Sequence, residues 1–304
     1  MSKRLGIIGA GISIASGNKG ASLGPDAIRI AGLYAGLDRL NIAYHDRGNL
    51  EALEEPHPPR KIALGDIRYL DLITEYMEKL KVEVTASLND GETPLVLGGD
   101  HSVAMASLAA VFKYHRTKNE TPGVIWFDAH ADLNTEKTSP SGNVHGMPLA
   151  VALGDGNGEL KALFDGGFLD PSKVVLLGIR SVDSEEAQMI RKLGVNIFTM
   201  KDIDEMGMKT CVEKAIAIAT KDDGPVHLSF DIDGIDGRFV PGTGTPVNGG
   251  ITLREAHLFL EMLAAKDIVT SVDLVEVNPL LDDKNKTSEV AVHLIESLFG
   301  RVIY

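Results

Sequence analysis

Residues Val124 to Asp132 read VIWFDAHAD: a short apolar run followed at once by Asp128, His130 and Asp132 at alternating positions. Val124 to Phe127 has the β-branched and aromatic content of a strand buried on both faces. The polar residues then stand at its carboxyl end. The same order recurs in LVLGGDHS, where Asp100 and His101 follow a strand candidate, and in LSFDIDGID, where Asp231 and Asp233 do. In an open parallel sheet the carboxyl ends of the strands share one rim, so residues distant in sequence converge on one crevice there.

Working outward, apolar or β-branched runs at Leu5 to Ile8, Asn41 to Tyr44, Pro94 to Leu97, Val174 to Leu177, Val195 to Phe198, Val226 to Phe230 and Val269 to Val275 bring the strand candidates to eight. Segments with helical spacing lie between them at Ile67 to Leu88, Val103 to Tyr114, Glu185 to Leu193, Lys209 to Ala219, Leu253 to Ala264 and Ser288 to Phe299. This alternation predicts an α/β protein, a three-layer α/β/α sandwich around a mostly parallel eight-stranded sheet. Turn signals at Leu88 to Gly91 and Gly154 to Gly158 punctuate the pattern without any linker-like stretch, so residues 1–304 read as one domain.

Composition narrows the function. A formal net charge of −13, with no segment dense in Lys or Arg, argues against a nucleic-acid partner. The same charge suits a cationic small molecule if the acidic residues converge. Cys211 is the only cysteine, which excludes an intrachain disulfide and a thiolate metal cluster; it reads as a packing residue in a helix. MSKRLGIIGAG reads as a first buried strand without a cleavage pattern, and no apolar stretch is long enough to cross a bilayer. A cytoplasmic location without membrane attachment is expected.

The acidic residues invite a metal. In an extended backbone residues i, i+2 and i+4 share one face, so Asp128, His130 and Asp132 are expected to point one way, and Asp231 and Asp233 repeat the logic. With His101 they make four carboxylates and two imidazoles, which would repel one another unless cations intervened. Two divalent ions neutralise that charge, and a metal pair about 3.5–4 Å apart is a known way to activate one water. Nitrogen and oxygen ligands without sulfur favour Mn²⁺, with Fe²⁺ and Co²⁺ as alternatives. A lone D-x-D run commonly caps a helix, so the weight falls on the combination. His45, His57, His115, His227, His257 and His293 have no such context and are assigned to the surface or the core.

GGDHS, DAHAD and SFDIDGID, in that order, resemble the motifs of the ureohydrolases, the arginase and agmatinase family. SPSGNVHGMP (139–148), GTGTPVNGG (242–250), VEVNP (275–279) and LGP (23–25) are similar to arginase segments in particular, and the likeness covers nearly the whole chain. It implies the three-layer arginase fold and hydrolysis of L-arginine to L-ornithine and urea by a hydroxide bridging two Mn²⁺ ions. One ion would be held by His101, Asp128, Asp132 and Asp231, the other by His130, Asp128, Asp231 and Asp233, with Asp128 and Asp231 bridging. It further implies that His145 shuttles protons, that Glu276 receives the guanidinium, and that Asp132 or His145 protonates the leaving amine. Asn134, Ser139, Ser141, Asn143 and Thr245 would line the substrate, and Asp183 would meet its α-ammonium group. Homotrimers or homohexamers are implied, with Arg254 and Glu255 in the segment associated with those contacts. Two departures stand out: Gly237 where many members have proline, which loosens the loop after the second aspartate pair, and Ser181 where some have aspartate. Competing readings are a ureohydrolase for agmatine or a guanidino acid, a one-zinc amide hydrolase of the histone deacetylase kind, and a non-catalytic metal-binding subunit.

Overall fold

The computed structural model describes residues 4–53, 63 and 65–301, so His57 lies outside the described residues. Eight strands among them form one sheet: β1 (Arg4–Ala10), β2 (Ala43–Asn49), β3 (Thr93–Gly98), β4 (Gly123–Phe127), β5 (Val174–Ile179), β6 (Asn196–Thr199), β7 (Val226–Asp231) and β8 (Val269–Val275). Their order is β2-β1-β3-β8-β7-β4-β5-β6, and every pairing is parallel.

The two-residue period of a strand sends side chains to two cores. Trp126 of β4 packs with Val96, Val103, Leu108 and Phe112 on one side of the sheet, beneath the helices Leu70–Asn89 and Ala104–Thr117. Its neighbours Ile125 and Phe127 face the other way, toward Leu228, Phe230, Phe259 and Leu263, where Met208–Ala219, Leu253–Lys266 and Lys286–Leu298 close the second layer. The strands β3, β4, β5 and β7 are buried throughout, which is why each reads as an unbroken apolar run. Cys211 is buried within Met208–Ala219, as a packing residue should be.

The edges depart from the sequence reading. β2 begins two residues later than the apolar run and continues through His45, Asp46 and Arg47 to Asn49. It pairs with β1 alone and is half-exposed, so polar residues are tolerated on its open side. The helix expected from Ile67 starts at Leu70, and short helices at Gly24–Ile30, Leu33–Arg39 and Met200–Met206 escape a reading based on long apolar periodicity.

The topology positions the chemistry. β3, β8, β7 and β4 are consecutive in the sheet, and their carboxyl ends carry His101, Glu276, Asp231 with Asp233, and Asp128 to Asp132 respectively. Four segments separated by up to 175 residues thus meet on one rim, with a bond from the His101 N–H to Glu276 Oε1 at 2.9 Å.

Candidate metal and active site

His101 opens a short 3₁₀ turn after β3, capped by Asp100, whose carboxylate accepts from Ser102 N and Oγ and from Ala15 N. On the far side β4 stops at Phe127, so Asp128, His130 and Asp132 lie beyond the strand and not along it. Asp132 has a φ of +50°, a left-handed conformation, which corrects the expectation of one extended face. Ala129 O accepts from Arg180 N (2.9 Å) and Ser181 N (3.0 Å), and His130 bridges to Ser181. These bonds hold the run to the β5 side while Asp132 turns back. The three residues therefore divide: Asp128 and Asp132 reach His101, and His130 reaches Asp233.

His101 Nδ1 faces Asp128 Oδ2, Asp132 Oδ2 and Asp231 Oδ2, each at 3.1 Å, yet makes no hydrogen bond although fully buried. Its other nitrogen, Nε2, is hydrogen-bonded to Ser229 Oγ at 2.8 Å. A buried ring nitrogen aimed among three carboxylate oxygens without bonding any of them is the geometry of a cation site. Ligand atoms at right angles, each about 2.2 Å from a common ion, would stand about 3.1 Å apart. His130 Nδ1 lies 3.4 Å from Asp128 Oδ1 and 3.2 Å from Asp233 Oδ2, forming a second group. Asp128 belongs to both potential ligand groups, whereas Asp231 falls in the first. Asp231 Oδ1 instead accepts from Asp233 N at 2.8 Å.

Electrostatics supports the same conclusion. Burial pushes the Asp231 carboxyl well above the usual carboxylate range, with Asp233 and Asp128 adding repulsion. Burial and Asp128 likewise bring Asp233 to about 6. For His130, burial works against the charged form, but Asp128 and Asp233 outweigh it and raise the imidazole to about 12. Left with protons alone, the cluster would have to take up several at neutral pH; divalent cations remove that need. The donor set fits a metal centre.

A cavity of about 290 Å³ opens above this cluster. Its walls contain His101, His130, Asp132 and Asp231 of the cluster together with Asn134, Ser139, Ser141, Asn143, Asp183, His145, Thr245 and Glu276. Asp128 and Asp233 lie fully buried behind it. Glu276 has a φ of +64° directly after β8; its N–H donates to Gly99 O at 2.8 Å. His145 sits on the turn Val144–Gly146, Nδ1 being 3.5 Å from Glu276 Oε1. Burial disfavours its imidazolium, but the Glu276 carboxylate prevails and raises it to about 9. Thr245 Oγ1 donates to Asp233 Oδ2 at 2.8 Å, which ties it to the metal cluster.

At the open end Asn134 Nδ2 donates to Asp183 Oδ2 at 2.9 Å and its Oδ1 accepts from Thr138 Oγ1. Ser139 Oγ takes the Gly142 N–H, and Ser141 Oγ the Asn143 N–H, fixing the curl of that loop. Asp183 caps the helix Ser184–Leu193, and Glu186 returns the bond in a capping box. Glu186 is a lining residue that sequence reasoning missed; the D-x-x-E spacing was its available signal. Its Oε1 accepts from Leu133 N, and burial carries its carboxyl to about 7. Ser229 and Arg180 were also missed: Ser229 stands in the SFDIDGID run, but its role depends on the contact with His101, and Arg180 stands outside the quoted motifs. A larger groove of about 560 Å³ adjoins at Ser141 and Asn143, but its walls hold no His–Asp cluster.

Of the remaining histidines, His227 is buried against Ser271 and Asp273, His115 faces Glu120, His257 meets Ser297 and His45 meets Glu92. Gly237 occupies a loop whose neighbour Asp236 accepts from Arg238, Gly249 and Gly250, so the turn is fastened without proline. Arg254 and Glu255 part company: Glu255 closes the capping box of Leu253–Lys266 with Thr252, and the exposed Arg254 lies 3.8 Å from Glu261.

Comparison with known proteins matches residues 3–300 to the Arginase family. The arginase of Bacillus caldovelox is 45% identical over 306 residues, covering 98% of each chain. The native structure of that enzyme at pH 5.6 superposes with a TM-score of 0.93 over 99% of this chain and 100% of its own, at 43% identity. An Entamoeba histolytica arginase in complex with L-ornithine reaches 0.88 at 33% identity, over 98% of this chain and 99% of that one. The match spans the whole of these relatives and includes every strand that carries the site, so the chain belongs to the arginase family.

Proposed function

We propose that the protein hydrolyses the guanidinium group of L-arginine to L-ornithine and urea, using two divalent cations, Mn²⁺ by preference, per chain. The observation that carries this reading is the unbonded His101 Nδ1 among three carboxylates, in the wall of a cavity that also offers Glu276 and Asp183. Family membership and 45% identity to a bacterial arginase support arginine over agmatine. His101, Asp128, Asp132 and Asp231 would hold one ion, and His130, Asp128 and Asp233 the other. When bound, the pair supplies hydroxide at neutral pH by acidifying water.

The protein's own groups do the rest. Arginine's guanidinium is protonated at any ordinary pH and presents a planar fork of donors. Glu276 can accept that fork: its backbone is fixed by Gly99 and Oε1 already takes the His101 N–H, so the carboxylate arrives preoriented. Glu276 favours the protonated form of His145, whose imidazolium can deliver a proton to the departing amine. Asp132 faces His101 Nδ1 as a metal ligand, which leaves His145 the better donor. At the mouth Asn134, Ser139, Ser141 and Asn143 offer neutral donors for the α-carboxylate, and Asp183 offers charge to the α-ammonium group. Thr245 steadies Asp233. The whole chain would act as one catalytic domain, in the cytoplasm, as a trimer or hexamer. Urea release from L-arginine by Mn²⁺-loaded protein tests the reading; absence of urea at full metal occupancy overturns it.

A further inference from the structure

Three successive carbonyls, those of Asp233, Gly234 and Ile235, turn toward one guanidinium, that of Arg180 just beyond β5. Nη2 donates to Asp233 O at 2.7 Å, to Val247 O at 2.9 Å and to Ile235 O at 3.3 Å. Nη1 donates to Gly234 O at 3.0 Å and Gly178 O at 3.3 Å, and Nε to Val247 O at 3.1 Å. None of these described bonds goes to a carboxylate, although Asp233, Asp128, Asp236 and Asp231 all act on the charge. A side chain that never loses its proton is thus placed beside four carboxylates and fixed by backbone oxygens only.

The contacts are one-sided. Through its side chain Arg180 grips the turn that carries Asp233 and the loop that carries Thr245, whose hydroxyl in turn holds Asp233 Oδ2. Through its backbone N–H it holds Ala129 O, between Asp128 and His130. None of its described bonds reaches His101 or Asp132. Gly250 completes the fit: a Cβ there would stand 2.5 Å from Arg180 Nη2 and 2.7 Å from Asp236 N, so the loop passes between the guanidinium and that backbone only as glycine.

We infer that the Arg180 guanidinium is the positioning group for the Asp233 half of the metal centre, holding from the β5 side both the turn that carries Asp233 and the loop that carries Thr245. The inference rests on the two-cation reading of the site. It predicts an asymmetric defect. Arg180→Lys keeps the positive charge, but an ammonium group cannot hold carbonyls from three segments in one plane.

The test is Mn²⁺ binding by equilibrium dialysis with elemental analysis, alongside thermal unfolding of metal-free protein and the electron paramagnetic resonance signal of a coupled Mn²⁺ pair. The unmodified protein takes up two ions. In Arg180→Lys the first ion binds as before, the second weakens by about 10–100-fold, the range for residues that orient metal ligands. The coupled-pair signal then appears only at high Mn²⁺. Gly250→Ala, which presses a methyl group on the guanidinium and on the Asp236 N–H of the same turn, gives the same pattern and serves if the first variant does not fold. Equal weakening of both ions, or a lower unfolding temperature with both ions retained, overturns the positioning role. An unmodified protein that saturates at one ion overturns the two-cation reading itself, and the inference with it.

Discussion

His145 and Asp128 illustrate how differently two neighbouring residues of one site can be tested. Asp128 is shared by both ligand groups and is fully buried, so Asp128→Ala is expected to abolish binding of both ions and with it urea formation. Inductively coupled plasma analysis after gel filtration reads that outcome; retention of one tightly held ion contradicts the shared role. His145 touches Glu276 and no member of the cluster's first group, so His145→Ala should leave two ions bound and lower kcat by about 10²–10⁴-fold. Loss of metal in that variant, or unimpaired turnover, would contradict a proton-transfer role. At this scale the sequence was readable where side-chain type alone decides chemistry, as in DAHAD and DID. It was silent where backbone conformation decides. The left-handed φ of Asp132 and Glu276 follows from hydrogen bonds with distant segments, such as Glu276 N to Gly99 O, and no local pattern announces it. Arg180 and Ser229 were illegible for the same reason, Arg180 being defined by the Asp233 carbonyl 53 positions away and Ser229 by His101 128 positions away.

Among the elements, the central strands were legible and the edges were not. β3, β4, β5 and β7 have apolar neighbours on both faces, so burial writes itself into every position. β2 has one neighbour, and its stability depends on side chains that look like loop. Arg29, from Gly24–Ile30, reaches over β2 and donates through Nε and Nη2 to Asp46 at 2.8 and 2.9 Å; Tyr34 O–H and Gly48 N also donate to Asp46. Burial opposes the charged form of Asp46, but the Arg29 and Tyr34 bonds prevail and hold its carboxyl below the usual range. A depressed carboxyl stabilises the fold above the unfolded-state pKa, and that contribution is lost as pH falls through the folded value. Asp46→Asn should therefore cost about 1–3 kcal/mol at pH 7, discounted because the pair is partly exposed to solvent. The gap between variant and parent should close below about pH 4. Urea unfolding at pH 7 and at acid pH measures it; a gap that is constant with pH contradicts the ionic origin.

For the molecule as a whole, the alternation of strands and helices was enough to anticipate three layers around a mostly parallel eight-stranded sheet, because the central elements signal their own burial. Strand order was not legible. Nothing local says that β8 inserts between β3 and β7, yet that insertion brings Glu276 to His101. The fold concentrates carboxylates at one rim, so bound cations and folding should be strongly linked. Each ion at 100 times its Kd would add about 2.7 kcal/mol, and chelation should lower the unfolding temperature and abolish activity together, with Mn²⁺ restoring both. Calorimetry with and without chelator checks this, and an unfolding temperature indifferent to metal contradicts it.

If the cavity serves arginine as proposed, the α-carboxylate and α-ammonium group would meet the donors of the 139–143 loop and Asp183. Agmatine presents the same guanidinium without the carboxylate and would leave those donors unmatched. The direct measurement is kcat/KM for L-arginine and for agmatine on the same Mn²⁺-loaded preparation. The account predicts a preference for L-arginine of about 10⁴-fold, reduced somewhat by solvent access at the mouth, and narrowed by Asn134→Ala and by Asp183→Ala. Agmatine hydrolysed as fast as arginine, or faster, by the unmodified protein would contradict it.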